Sequence, residues 1–301
     1  MGAVPSYRRL PARTSVLRRT LRRIEALVRL SRPVNLMLIA GTSLSAQLLL
    51  WLRGKDFIPD WERWFYMLLS TILIAAGGYW INDLYDQPID RINRPSRAMW
   101  VARAGQRLLI TAVLGAWLLA TLLAILLPLK ILFLHMAAIF TLAWYARFGK
   151  RTGLLGNAVI AILTGAVPWE VLLLAERTAY GVVWMVPLAI GFNFVRELVK
   201  DAEDLPGDQA YGVRSLPSHI PKSSWHRLLY FLWVGLIFLT FAPAVLHYVL
   251  WKSLPLPYLS AALVVTILPL LWGLQEWGNY RLMSQSIKMA MAGGLVAVWM
   301  L

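Results

Sequence analysis

Nine long apolar runs separated by short polar links set the pattern of this chain. They cover residues 34–52, 64–82, 108–128, 131–147, 154–175, 179–197, 227–250, 256–275 and 287–301. Roughly 17–25 apolar residues are enough to cross a bilayer as a helix. The pattern therefore predicts an all-α integral membrane protein with about nine transmembrane helices. The last run is short and ends with the chain. Residues 1–33 form a basic N-terminal segment and residues 34–301 a single transmembrane domain. No soluble domain, low-complexity tract or internal repeat interrupts the series.

Composition agrees with the pattern. Of 301 residues, 59 % are hydrophobic and only 15 % charged, which excludes one soluble core. Without cysteine there are no disulfides or thiolate metal sites. The four histidines lack zinc-ligand spacing. A net charge of +15 would suit nucleic acid, but its distribution argues against that partner. With the N-terminus inside, 24 of the 30 Lys and Arg residues fall on the cytoplasmic side and 6 on the other. Such a bias orients a membrane protein in the bilayer. The segment "SYRRLPARTSVLRRTLRRIEALVRLSRP" serves as that topology signal or lies on anionic lipid. Its basic lead is too long for a signal peptide.

Against this background the acids stand out. Of 15 Asp and Glu residues, eight fall in two short windows. One is "INDLYDQPID", with Asp83, Asp86 and Asp90. The other is "RELVKDAEDLPGD", with Glu197, Asp201, Glu203, Asp204 and Asp208. Both follow apolar runs that end on the cytoplasmic side, so the two sets can face each other. Asn82, Asp86 and Asp90 share a helical face, and Glu197, Asp201, Asp204 and Asp208 form a second stripe. Pro88 is expected to kink or end the first helix, and Pro206-Gly207 to break the second.

Crowded carboxylates near a membrane repel one another and need cations. Oxygen ligands without Cys or His select a hard ion, Mg²⁺ before Mn²⁺ or Ca²⁺. Two such sets could hold Mg²⁺ on a diphosphate and neutralise the charge of its departure. An apolar bundle beside them offers room for a hydrocarbon tail. The simplest substrate joining these halves is a polyprenyl diphosphate, whose ionised allylic carbon an acceptor would capture.

These residues resemble the motifs of the UbiA-type superfamily of intramembrane prenyltransferases, over nearly the whole chain. Asn82, Asp83, Asp86 and Asp90 are similar to its NDxxDxxxD. The run "RINRPSR", with Arg91, Arg94 and Arg97, resembles its Asn-Arg-Pro segment. Asp204 and Asp208 match its DxxxD, and Glu197 stands where many members carry Asp. "SRPVNLM" opens the first span with Asn35, and "WYARFGKRTGLLGN" resembles the family's link between spans four and five. After "INRPSR" the family often reads Pro-Ile-Pro-Ser-Gly, whereas this chain reads "AMWVARAG".

The resemblance implies nine helices around a central cavity and a site at the cytoplasmic side of the cell membrane. Asn82, Asp83, Asp86, Asp90, Glu197, Asp201, Asp204 and Asp208 would bind Mg²⁺, with Asp83, Asp86 and Asp204 central to catalysis. Asn35, Arg91, Arg94, Arg97, Tyr145, Lys150, Arg151 and Lys200 would bind substrate. The partners implied are a polyprenyl diphosphate donor, a hydrophobic acceptor and the bilayer. The second motif looks most like the branch that alkylates geranylgeranylglyceryl phosphate, and cations such as Lys200, Arg214 and Lys222 suit a phosphorylated acceptor. An aromatic or quinone-type acceptor is the alternative. A divalent-ion or lipid transporter would need acids at the midplane and repeated halves. A CDP-alcohol phosphotransferase would need an Asp-Gly…Ala-Arg…Gly signature that the chain lacks. His135 reads as a packed, satisfied histidine and Glu170 as an interfacial acid. Trp51, Trp61, Trp64 and Trp251 read as an aromatic belt.

Overall fold

The computed structural model describes residues 12–54, 56–213 and 215–301, and within them all side chains except those of residues 12–17, 150 and 151. The described residues form helices and links, with no strand among them. In chain order the helices are α1 (Ala12–Leu30), α2 (Pro33–Arg53), α3 (Trp61–Asn93), α4 (Pro95–Ala104), α5 (Gln106–Ile125) and α6 (Leu129–Arg147). They continue as α7 (Leu154–Ala175), α8 (Tyr180–Ala210), α9 (Lys222–Trp251), α10 (Leu256–Ala262), α11 (Leu268–Gln275) and α12 (Tyr280–Val298). A π-turn, Leu263–Ile267, joins α10 and α11 into one rod.

Eight of these segments are long and apolar enough to cross a membrane, with α10, the π-turn and α11 counted as one. The ninth expected span is α12. It begins at Tyr280, seven residues before the apolar run, because its first half carries Arg281, Ser284, Gln285, Ser286 and Lys288. These polar residues keep α12 outside the apolar set.

Pro88 does not end its helix, and Pro206-Gly207 does not break the second. α3 continues through Pro88 to Asn93, and α8 continues through Pro206 to Ala210. Proline removes one backbone donor and crowds the preceding turn. The two helix ends pack on each other, and beside Pro206 a side chain of α3 supplies polar partners. Asn93 donates to the Asp204 carbonyl at 2.6 Å and accepts from the Gly207 amide at 2.8 Å. Gly207 is required there, because a Cβ would lie 2.6 Å from the Asn93 side chain.

Small residues set the spacing elsewhere, as they do between membrane helices. A Cβ on Gly77 would sit 2.4 Å from the Trp117 indole nitrogen, so α3 and α5 approach only because Gly77 lacks one. α7 packs along α8, and α12 closes against α8. The largest buried cluster, with Leu198, Val199, Trp225, Leu229, Trp233, Met283 and Ile287, locks α8, α9 and α12 together.

α1 does not stand apart as a tail. Its Ala26 and Leu30 pack with Val101, Ala104 and Leu109. Trp80 on α3 donates its indole N–H to the Leu27 carbonyl at 2.9 Å. Arg29 and Arg103 both stack on Trp100. The opposite side of α1 leaves Leu21, Ile24 and Val28 exposed. Residues 1–11 of the basic segment lie outside the described residues.

The four tryptophans of the expected belt differ in exposure. Trp51, Trp61 and Trp251 are exposed, but Trp64 is buried and donates to Ser43 Oγ at 3.2 Å. Trp64 thus joins the core between α2 and α3, with Trp61 edge-on against it.

Candidate active site

A cavity of about 290 Å³ runs through the bundle. Its wall is mostly aliphatic, from α2, α3, α6, α7, α8 and α12, and its polar residues gather at two ends.

At one end α3 and α8 deliver the two acidic sets. Because α3 stays helical, Asp83, Asp86 and Asp90 all turn inward and are buried. On α8, Glu197, Asp204 and Asp208 are buried likewise. Arg32, in the link before α2, donates to Asp83 Oδ1 at 2.6 Å and lies over the Tyr79 ring. Arg97 stands 3.9 Å from the same oxygen and 4.0 Å from Asp90 Oδ2. Arg94 crosses to α8 and meets Asp204 at 2.7 Å. Asn82 donates to Asp86 Oδ2 at 2.6 Å. On the α8 wall Glu197 accepts from Arg196 at 2.8 Å and from Lys200 at 2.5 Å. Asp201 accepts from the buried Asn157 at 2.7 Å.

Most of the anticipated residues therefore come together. Asn35, Asn82, Asp86, Arg94, Arg97, Tyr145, Glu197, Lys200 and Asp204 line the cavity. Asp83, Asp90, Asp201 and Asp208 lie just behind its surface. Arg91 is the exception. It is exposed, because one residue beyond Asp90 is a turn of about 100° away from the inward face. The side chains of Lys150 and Arg151, and all of Arg214, lie outside the described residues.

Sequence reasoning missed Arg32, Asn93, Arg196 and Lys288. Arg32 and Asn93 sit inside the quoted motifs "SRPVNLM" and "RINRPSR". Arg196 and Lys288 are cations within apolar runs, a signal that marks functional candidates by default. Arg32 is also conformationally unusual, with φ +55° and ψ +64°. A non-glycine residue there costs about 1–2 kcal/mol, offset by its ion pair with Asp83.

The donor set suits a hard cation. It is all oxygen, and Oδ2 of Asp83 is buried without a hydrogen-bond partner in the described structure. No three carboxylates among the described residues are close enough to form a ready-made cage. That matches Mg²⁺, which takes few protein ligands and completes its shell with water and phosphate oxygens.

The other polar end is deep in the bundle. His135 Nε2 lies 3.0 Å from Glu170 Oε2, and His135 Nδ1 lies 2.8 Å from Ser70 Oγ. Thr71 donates to Glu170 Oε1 at 2.8 Å. His135 is thus the satisfied histidine expected from the sequence. Glu170 departs from expectation: it is 2 % exposed and faces the cavity rather than the interface. One α7 face carries it inward to meet α3 and α6.

With this geometry in view, the comparisons are decisive. The family model described as "UbiA prenyltransferase family" matches residues 40–292. The chain belongs to that family. It is an intramembrane prenyltransferase and a multi-pass membrane protein. Among curated relatives, a digeranylgeranylglyceryl phosphate synthase of Korarchaeum cryptofilum is 33 % identical over 81 % of this chain and 83 % of its own. Another, from Methanopyrus kandleri, is 28 % identical over 91 % and 98 % of the two chains. Among solved structures, a digeranylgeranylglyceryl phosphate synthase superposes with TM-score 0.65 at 23 % identity, covering 93 % and 99 %. A UbiA homologue from Archaeoglobus fulgidus, bound to GPP and Mg²⁺, gives TM-score 0.64 at 15 % identity, covering 91 % and 99 %. These two structures establish the shared fold.

Proposed function

We propose that this enzyme transfers a geranylgeranyl group from its diphosphate to geranylgeranylglyceryl phosphate, forming the second ether bond of an ether lipid. The observation that carries this reading is the meeting of two buried acidic helix ends at one mouth of an aliphatic cavity. The names of its relatives supply the acceptor. The basic bias of one side argues for the cell membrane, with this mouth facing the cytoplasm.

The diphosphate sits at the acidic mouth and the tail in the cavity. Asn82, Asp83, Asp86 and Asp90 would hold Mg²⁺ from α3, and Asp204, Asp208, Glu197 and Asp201 from α8. Held there, Mg²⁺ would supply positive charge to the diphosphate as the allylic C–O bond breaks. Arg32, Arg94 and Arg97 exchange carboxylate for phosphate oxygens as donor binds, through charge-assisted hydrogen bonds. Asn93 keeps the two helix ends in register. The bonding pair leaves with the diphosphate oxygen. The acceptor hydroxyl then closes the new C–O bond, and its proton passes to the departing diphosphate. Asn35 and Tyr145 line the cavity wall and would contact the prenyl donor or the acceptor there.

The test is product analysis with purified protein, Mg²⁺ and labelled geranylgeranyl diphosphate. Geranylgeranylglyceryl phosphate competes in the same tube with hydroxybenzoate, dihydroxynaphthoate and homogentisate. The expected product is the doubly alkylated glyceryl phosphate. A prenylated ring instead would move the enzyme to an aromatic acceptor.

A further inference from the structure

Three cations, Arg196, Lys200 and Lys288, gather around Glu197 where α8 and α12 line the cavity. Arg196 and Lys200 share a single carboxylate, Glu197. Lys288 lies across from them on α12, half-buried, and lines the same cavity. The other cationic side chains lining the cavity each reach a carboxylate: Arg32 to Asp83, Arg94 to Asp204, and Arg97 to Asp83 and Asp90. Lys288 has neither an ion pair nor a hydrogen bond among the described residues. A lysine within the membrane costs about 2.5–3.5 kcal/mol on insertion scales, so an unpaired one implies an anion that arrives from elsewhere.

Its surroundings fit a lipid phosphate. Lys288, Met291 and Leu295 form one α12 stripe along the cavity wall. A charged head at Lys288 would therefore have its hydrocarbon chain led along that stripe. Arg196 is steered toward this wall by Asn193, whose Oδ1 accepts from it at 3.4 Å. A phosphate monoester carries a charge of about −2 near neutral pH and would give Lys288 an anion to pair with, shared with Arg196. The aspartates of α3, with their own arginines, occupy a different wall.

We propose that Lys288, with Arg196, forms a second anion subsite that binds the phosphate of the acceptor lipid, separate from the site for the donor's diphosphate. This rests on the phosphorylated-acceptor reading above. It makes Lys288 the residue that tells a phosphorylated acceptor from a neutral one.

Two measurements separate the subsite from the reaction. In two-substrate kinetics, Lys288→Gln should raise the acceptor KM about tenfold and leave the donor KM unchanged. It should also erase the preference for geranylgeranylglyceryl phosphate over geranylgeranylglycerol, with Lys288→Arg restoring most of it. An unchanged acceptor KM, or an equal rise in donor KM, would overturn the proposal. Binding of labelled geranylgeranylglyceryl phosphate is then measured in EDTA without donor. Binding by wild type that weakens in Lys288→Gln supports the subsite, even if wild type fails to turn this lipid over and the proposed function falls. Equal binding by both proteins, or none by wild type, sinks the subsite while leaving turnover to judge the function.

Discussion

At the mouth of the cavity, carboxylates from α3 and α8 are held by arginines on long, adjustable side chains, and Asp83 keeps one buried oxygen without a hydrogen bond. At the deep end, Glu170 gives both oxygens to Thr71 and His135, and His135 gives both nitrogens to Glu170 and Ser70. Thr71 and Asp86 lie 15 residues apart on α3, about 22 Å at helical rise. Both regions bury charge in the same apolar bundle, yet they are finished differently. The deep network is complete within the protein and ties α3, α6 and α7 together. The mouth is complete only when something joins it. A buried polar cluster is therefore better judged by which atoms remain unpaired than by how many charges it holds.

This contrast is most directly broken at the mouth. Replacing Asp86 or Asp204 by alanine should lower prenyl transfer at least about 100-fold, the scale of losing electrostatic stabilisation of a departing anion. Thermal stability should hold in Asp86→Ala, which removes one of several crowded carboxylates, and fall in Asp204→Ala, which strands Arg94. Activity and unfolding temperature measured on the same preparations check both halves. A smaller loss is expected from Gly207→Ala, which pushes on Asn93 and shifts α8 against α3. Misplacing reacting groups by about 1 Å costs up to roughly 100-fold. The drop should appear in kcat rather than in the quantity of folded protein.

The deep network should behave the other way. Glu170→Ala strands His135 and Thr71 and should destabilise the protein by about 1–3 kcal/mol. Turnover per folded molecule should be retained. Unfolding followed by tryptophan fluorescence, beside specific activity, would show whether stability and catalysis separate here in the opposite sense from the mouth.

The smallest effect is at the protein surface, where Lys130 pairs with Glu176 in the turn after α7. The hydrogen bond and charge of Lys130 hold the Glu176 carboxyl below its ordinary range. Stability from this pair is thus present above the unfolded carboxyl's pKa and lost as pH falls through the lowered folded value. Both groups are solvated, so Glu176→Gln should leave the unfolding temperature at neutral pH unchanged within error. A scan of unfolding temperature against pH, comparing wild type with the variant, checks this.

Much of this molecule was legible in its sequence, for identifiable reasons. Hydropathy marked nine runs, eight of which are long apolar helices in the structure, because lipid allows few other solutions than apolar helices. The acidic windows stood out because charge is scarce in such a chain, and their helical spacing gave the inward stripes. What escaped depended on contacts between distant segments. Pro88 and Pro206 look like helix ends until the packing of α3 on α8 and the bonds of Asn93 are known. Glu170 looked interfacial because its partners, His135 and Thr71, lie 35 and 99 residues away in sequence. Lys288 entered the sequence reading only as one of the cytoplasmic-side charges. Only the position of α12 against the cavity shows that it faces inward.

The central claim is that the mouth is completed by a metal-bound diphosphate. The most direct measurement is equilibrium binding of a non-ionising geranylgeranyl thiolodiphosphate, with Mg²⁺ or with EDTA, to wild type and to Asp86→Asn and Asp204→Asn. The account predicts binding that needs Mg²⁺ and weakens by at least about tenfold in each variant. Equal binding in EDTA, or in both variants, would contradict it.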